Sequence, residues 1–130
     1  SFNAKTDNKM INYKLIDFKG FVCNYDDKIY DVMLEIESNS QGIVFLKNDH
    51  NQLIASLSDG DIRRWIIKGG ELGINSIEIA NKSVQYVFHE SKDILVKKLE
   101  EIYLKYELQL IPILDNDRRI LNIAIIGNAI

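Results

Sequence analysis

The chain is 130 residues long, 46% hydrophobic and 27% charged, with a formal net charge of −3. That is room for one compact domain or two very small ones. The acidic balance offers no basic surplus for nucleic acid or an anionic membrane, and no apolar run nears the ~20 residues of a membrane span.

Residues 1–9 (SFNAKTDNK) are polar and aperiodic. They read as a flexible lead without a signal-peptide pattern, with Met10 as the expected native start. Ile11, Tyr13, Leu15 and Ile16 follow as an apolar segment expected to pack on the domain surface. Phe21-Val22-Cys23 reads as a short buried strand. Cys23 is the only cysteine, which excludes an internal disulfide and points to a reducing, cytoplasmic setting. A thiol inside an apolar run is more often a small hydrophobe than a nucleophile.

Asp26 and Asp27 offer a helix N-cap. Ile29, Val32, Met33 and Ile36 lie at i, i+3, i+4, i+7, so the spacing predicts a helix over 28–37. Residues 38–42 break it. Residues 43–46 form a continuous apolar strand, 47–52 a polar turn and 53–57 a returning strand, together a hairpin. A helix over 59–68 follows, with Ile62, Trp65 and Ile66 at i, i+3, i+4 on one packed face and Gly69-Gly70 closing it.

A connector, 71–82, is anchored by Ile74, Ile77 and Ile79. Residues 84–88 read as a strand. Ser91 is the expected N-cap of a helix over 92–106 that carries the stripe Leu95, Leu99, Ile102, Tyr103 and Tyr106. Residues 110–114 form a strand, 115–119 a turn and 120–126 the returning strand. Shifting the first hairpin by 68 lays 43–46 on 111–114 and Leu53 on Leu121, so the second half repeats the first. A unit of about 65 residues is too long for an ordinary solenoid and fits a pseudo-twofold pair.

The stretch Ser58-Asp59-Gly60-Asp61-Ile62-Arg63-Arg64 stands where a strand turns into a helix. Ser58 with Asp61 three residues on is nearly a capping box. The same turn leaves free backbone N–H groups at the positive end of a helix dipole, a seat for phosphate beside an acidic side chain that accepts ribose hydroxyls. Two readings stay open: a plain helix cap, or a nucleotide site. No classical phosphate loop, Ser–His–Asp arrangement or metal-ligand spacing occurs, and His50 and His89 lack ligand partners in the pattern.

The stretches GIVFLKNDHNQLIASLSDGDIRR and LIPILDNDRRILNIAI give the chain a pattern that resembles a tandem pair of CBS domains (the cystathionine-β-synthase type), or Bateman module. The resemblance implies an α+β fold of two β-α-β-β-α repeats related by pseudo-twofold symmetry, the second lacking its last helix. The implied organisation is a lead and packing segment at 1–18, one repeat at 19–78 and a second, truncated repeat at 79–130. The S/T-D-G-D-h-R-R form looks most like the N-terminal regulatory region of bacterial sugar-phosphate nucleotidyltransferases, with a sugar-phosphate isomerase as the alternative setting.

That implies a non-catalytic regulatory module, a homodimer attached to a sugar-activating enzyme and using no partner membrane or nucleic acid. Its ligand would be AMP, ATP, CMP or a nucleotide-sugar, with no other cofactor and no metal. The rival expectation is a ligand-free dimerisation module. Carried over by motif, Ser58, Asp59, Gly60 and Asp61 meet phosphate and ribose, Arg64 (and Arg63) reach phosphate, and the base lies near Gly42-Ile43-Val44 and Cys23-Asn24. Under the 68-residue shift Ile126 and Ala129 stand opposite Ser58 and Asp61, so a second site is expected to be absent or weak.

Overall fold

The computed structural model describes residues 11–128. These form two compact units, each with its own sheet and core. One comprises Phe18–Val84 together with Asp117–Arg119. Its sheet has the order β2 (Val22–Asn24), β3 (Ile43–Lys47), β4 (Leu53–Ser58), with β2 parallel and β4 antiparallel to β3. Helices α1 (Ile29–Asn39) and α2 (Asp59–Ile67) and a 3-10 turn at Ser76–Ile79 complete it. The core unites Ile29, Val32 and Ile36 of α1 with Val44, Leu46, Ala55 and Leu57 of the hairpin and Ile62 of α2.

The other unit carries β5 (Val87–Phe88), α3 (Lys92–Tyr106), β6 (Leu110–Leu114) and β7 (Ile120–Asn128). Its first strand is β1 (Ile11–Ile16), which pairs antiparallel with β7 from Ile11↔Asn128 to Ile16↔Ile123. Residues 11–16 are therefore a sheet strand and not only a surface packing segment; residues 1–10 lie outside the described stretch. The alternation Ile11, Tyr13, Leu15 was the signal for it, and β1 covers what would be an open edge of β7. Along the connector the units divide between Val84 and Gln85.

Local chemistry places most elements where periodicity predicts them, with shifts at the ends. The N-cap of α1 is Lys28, not Asp26 or Asp27. Asp27 is already engaged: its carboxylate accepts the Asn24 N–H at 2.9 Å. Helix α1 runs on to Asn39 and stops at Ser40, which is left-handed (φ 59°). Strand β5 shrinks to two residues, and β7 extends to Asn128.

The repeat offset is 67, not 68. Ile43 faces Ser58 in one hairpin and Leu110 faces Ile125 in the other. Each has a bulge at the matching step, Leu46/Lys47 and Ile113/Leu114. The positive-φ residues obey the same offset, Ser40 with Glu107 and Asn51 with Arg118. So do the bonds that close each strand start: Asp59 N–H to Gly42 O at 2.9 Å, and Ile126 N–H to Gln109 O at 2.7 Å. A one-residue slip is easy to make in sequence because both hairpins are apolar on both faces, and no alternation pins the register. Ser58 thus corresponds to Ile125 and Asp61 to Asn128, not to Ile126 and Ala129; Ala129 lies outside the described residues. The extra length of the second copy is in its helix, 15 residues in α3 against 11 in α1.

Candidate functional site

The site is built where β4 ends and α2 begins. Ser58 is extended (φ −110°, ψ 165°) and caps α2 with a complete capping box. Its hydroxyl oxygen accepts the Asp61 N–H at 3.2 Å, and the Asp61 carboxylate accepts the Ser58 N–H at 3.0 Å. The near-box read in the sequence is a true box, and Asp serves at N3 where Glu or Gln is usual. The other Asp61 oxygen accepts from Arg64 Nη2 at 2.9 Å. Asp59 and Asp61 both place negative charge in the first turn, favourable to the helix dipole.

Gly42 approaches this turn from β3. Its φ is +77°, and a Cβ there would lie 3.3 Å from Asp59 Oδ2. Only glycine meets both demands without strain. Ile43 pairs with Ser58, so Gly42, Ile43, Ser58, Asp59, Gly60, Asp61 and Arg64 form one cluster. A cleft of about 250 Å³ opens here, lined by Met33, Ile36, Glu37, Ser40, Gly42, Asp59 and Ile62. A second, of about 300 Å³, is lined by Asp61, Arg64, Trp65, Lys68, Glu78 and Ile79.

Val44 is fully buried in the core, so it faces this cluster only through its backbone. Cys23 is buried beside it, and the thiol is pushed up from 9.0 to about 12, first by burial and then by the carboxylates of Glu35 and Asp27. Asn24 pairs with Lys47 at the far end of β3, roughly 13 Å along the strand from Ile43 at ~3.3 Å per residue. The groups that do meet the start of β3 are Gly20 and Asn39: the Asn39 amide donates to Gly20 O at 2.9 Å and to Ile43 O at 3.1 Å. Sequence reading missed them, although Gly20 (φ +90°) and a polar residue at a helix end were legible as turn signals.

Trp65 does not share a buried face with Ile66, as the spacing predicts. It is half-buried against the core, its Nε1–H donates to Glu71 O at 2.7 Å, and Ile66 is exposed. The indole lies over Gly70, where a Cβ would come within 2.0 Å of the ring. Among the described residues no group of three His, Cys, Asp or Glu side chains is placed to hold a metal ion.

No family model matches the chain. Bacterial relatives align, among them an uncharacterized protein of Helicobacter pylori strain J99, 28% identical over 93 residues, and the arabinose 5-phosphate isomerase GutQ of Escherichia coli K12, 27% over 92. The alignments take in 72% and 71% of this chain but only 28% of each relative, so the chain spans little more than a quarter of their length. Many solved structures are similar, among them the following three. The CBS domain protein PAE2072 from Pyrobaculum aerophilum complexed with AMP superposes with a TM-score of 0.67 at 17% identity, over 78% of this chain and 76% of that one. CBSX2 in complex with AMP gives 0.67 at 13% identity, over 84% of each. The cytosolic domain of the Mg2+ channel MgtE in complex with ATP gives 0.63 at 15%, over 80% of this chain and 41% of that one.

The fold is that of a tandem CBS-domain pair. On that fold the first repeat carries the Ser58–Asp61 turn, and the second carries Ile125, Ile126, Gly127 and Asn128 at the matching positions, still within a strand. No described helix is long and apolar enough to cross a membrane.

Proposed function

We propose that this chain is a non-catalytic regulatory module that binds one nucleotide at the start of α2 and passes that state to an attached sugar-phosphate enzyme. The observation that carries the reading is the cluster itself: a capped helix start with two carboxylates, Gly42 pressed against it, and a cleft on either side. Fold neighbours named in complex with AMP and ATP support a nucleotide of that kind, and CMP or a nucleotide-sugar stays among the ligands to test. A phosphate would sit at the positive end of α2, although the Asp59 and Asp61 N–H groups already bond Gly42 O and the Ser58 hydroxyl, and an Asp61 oxygen would accept a ribose hydroxyl.

The likeness to GutQ supports a sugar-phosphate isomerase as the attached enzyme over the nucleotidyltransferase expected from the motif. Self-association through helix faces belongs to the same proposal, because Tyr30 and Leu34 on α1 and Ile66 and Ile67 on α2 are exposed apolar side chains. Light scattering at high micromolar concentration should give a dimer; a clean monomer removes that part.

The test of the whole reading is a thermal-shift screen with AMP, ATP, CMP and a nucleotide-sugar. A ligand at 100 times its dissociation constant should stabilise by about 2.7 kcal/mol. Asp61→Ala should then weaken the best ligand about tenfold or more, through loss of a charge-assisted acceptor. No shift with any of the four would favour a ligand-free dimerisation module instead.

A further inference from the structure

In the first unit α2 lies along one flank of α1, and Met33, Ile36, Glu37 and Ser40 line the cleft between the two helices with Asp59 and Ile62. The repeat offset of 67 carries those four α1 positions to Glu100, Tyr103, Leu104 and Glu107 of α3. Among the described residues the second unit has no other α-helix, so no helix of its own unit lies against this flank of α3. Its chemistry also differs from that of α1. Glu100 stands where the first copy has Met33, and its Oε2 is buried with no hydrogen-bond partner among the described residues. A buried acceptor left unpaired is costly, and a carboxylate oxygen more so. Asp93 and Glu107, seven residues to either side, extend the acidic line along the same face, with Lys97 at its border. Leu104 is exposed beside it.

Helix α2 presents the complement. Arg63 is exposed, and Ile66 and Ile67 follow it at i+3 and i+4 on the outward side. Ile67, at 76% exposure, is the most exposed large apolar side chain among the described residues. Resting on the self-association proposed above, we infer that the open flank of α3 seats α2 of a second copy. Arg63 of one chain meets Glu100 of the other, and Ile66 and Ile67 cover Leu104. A guanidinium suits the orphaned oxygen, because its planar fork makes charge-assisted bonds to a carboxylate. A twofold axis makes the contact twice, α2 of each copy on α3 of the other.

Sedimentation velocity tests it, on wild type, Arg63→Glu, Glu100→Arg and an equimolar mixture of the two variants. Wild type should be a dimer. Each variant alone sets like charges together at both contacts, and should raise the dimer dissociation constant about a hundredfold, roughly tenfold per contact. The mixture should dimerise again, to within about tenfold of wild type, because a mixed pair restores opposite charges at both contacts. A misfolded variant is not rescued by mixing. Either variant dimerising like wild type, or a mixture that stays monomeric, would overturn the seat and leave self-association standing. A monomeric wild type would overturn both and leave the nucleotide reading untouched.

Discussion

The two hairpins of this chain share one backbone plan and end differently. In the first, β4 stops at Ser58 and the chain turns into α2; in the second, β7 runs on through the matching positions to Asn128 while pairing with β1. Four residues account for the contrast. Ser-Asp-Gly-Asp supplies a cap, a reciprocal N3 carboxylate and a flexible N2, and so favours a helix start. Ile-Ile-Gly-Asn offers no hydroxyl at the cap position, and Ile126 is buried at 2% exposure in the sheet core. A β-branched pair fits the pleat, and burial holds it there. Equal architecture thus carries a polar turn in one copy only, and the chemistry proposed above belongs to that copy.

The largest effects should be the ones the two copies share. Leu46 and Ile113 are register equivalents, 0% and 1% exposed, each in the core of its own unit. Replacing either with alanine should cost about 2–5 kcal/mol. Chemical denaturation of the two variants measures this. A loss below about 1 kcal/mol at one position only would mean that the copies are not equivalent in packing.

The next effect separates them. Cys23 pairs with Leu46 in one unit, where Val87 pairs with Ile113 in the other. Below pH 9 the thiol is neutral in folded and unfolded chains alike, so its stabilising burial is fully present. Between pH 9 and about 12 the unfolded chain releases the proton and the folded chain keeps it, because burial holds the thiol near 12. Stability should therefore fall as pH rises through that window, by about 1 kcal/mol per pH unit, relative to a Cys23→Ala variant. Parallel stability curves for the two proteins would contradict it. The same burial predicts that a thiol reagent modifies Cys23 only as fast as the chain opens.

How much of this was legible beforehand follows from what each signal depends on. Helix α3 spans the same residues, 92–106, that the stripe from Leu95 to Tyr106 predicts, because helical periodicity needs no partner. The strand β1 was harder, since its pairing lies more than 100 residues away on β7 and only tertiary contact makes it a strand. The repeat itself was visible, but its offset was not, because Ile-Val-Phe-Leu and Leu-Ile-Pro-Ile-Leu match at two adjacent registers. At the site, the Ser58–Asp61 cap is local and was read from spacing. The approach of Gly42 and the bridge from Asn39 to Gly20 and Ile43 depend on strand register, which spacing does not encode.

A smaller effect tests the cap. Ser58→Ala removes the acceptor for the Asp61 N–H and should cost about 1 kcal/mol. Ile125→Ser, the reverse exchange at the matching position, should bring no compensating gain, because that position lies in a strand and caps nothing. If Ile125→Ser stabilised the chain, the second copy would hold a latent helix start and the contrast between the hairpins would be one of degree.

The smallest stability effect should come from an exposed ion pair on the first turn of α2. The Arg64–Asp61 pair is an i, i+3 contact with side-chain exposures of 67% and 22%, and solvent screens it. Pairs of this kind are worth roughly 0–1 kcal/mol, so Arg64→Gln should move stability by less than about 1 kcal/mol and less still in high salt. The capping box would survive, since it uses the Ser58 hydroxyl and the other Asp61 oxygen. A guanidinium laid against the positive end of a helix also works against the helix dipole, which lowers its structural worth further. Denaturation of Arg64→Gln at low and high salt decides the matter. A loss well above about 1 kcal/mol would make the guanidinium part of the scaffold.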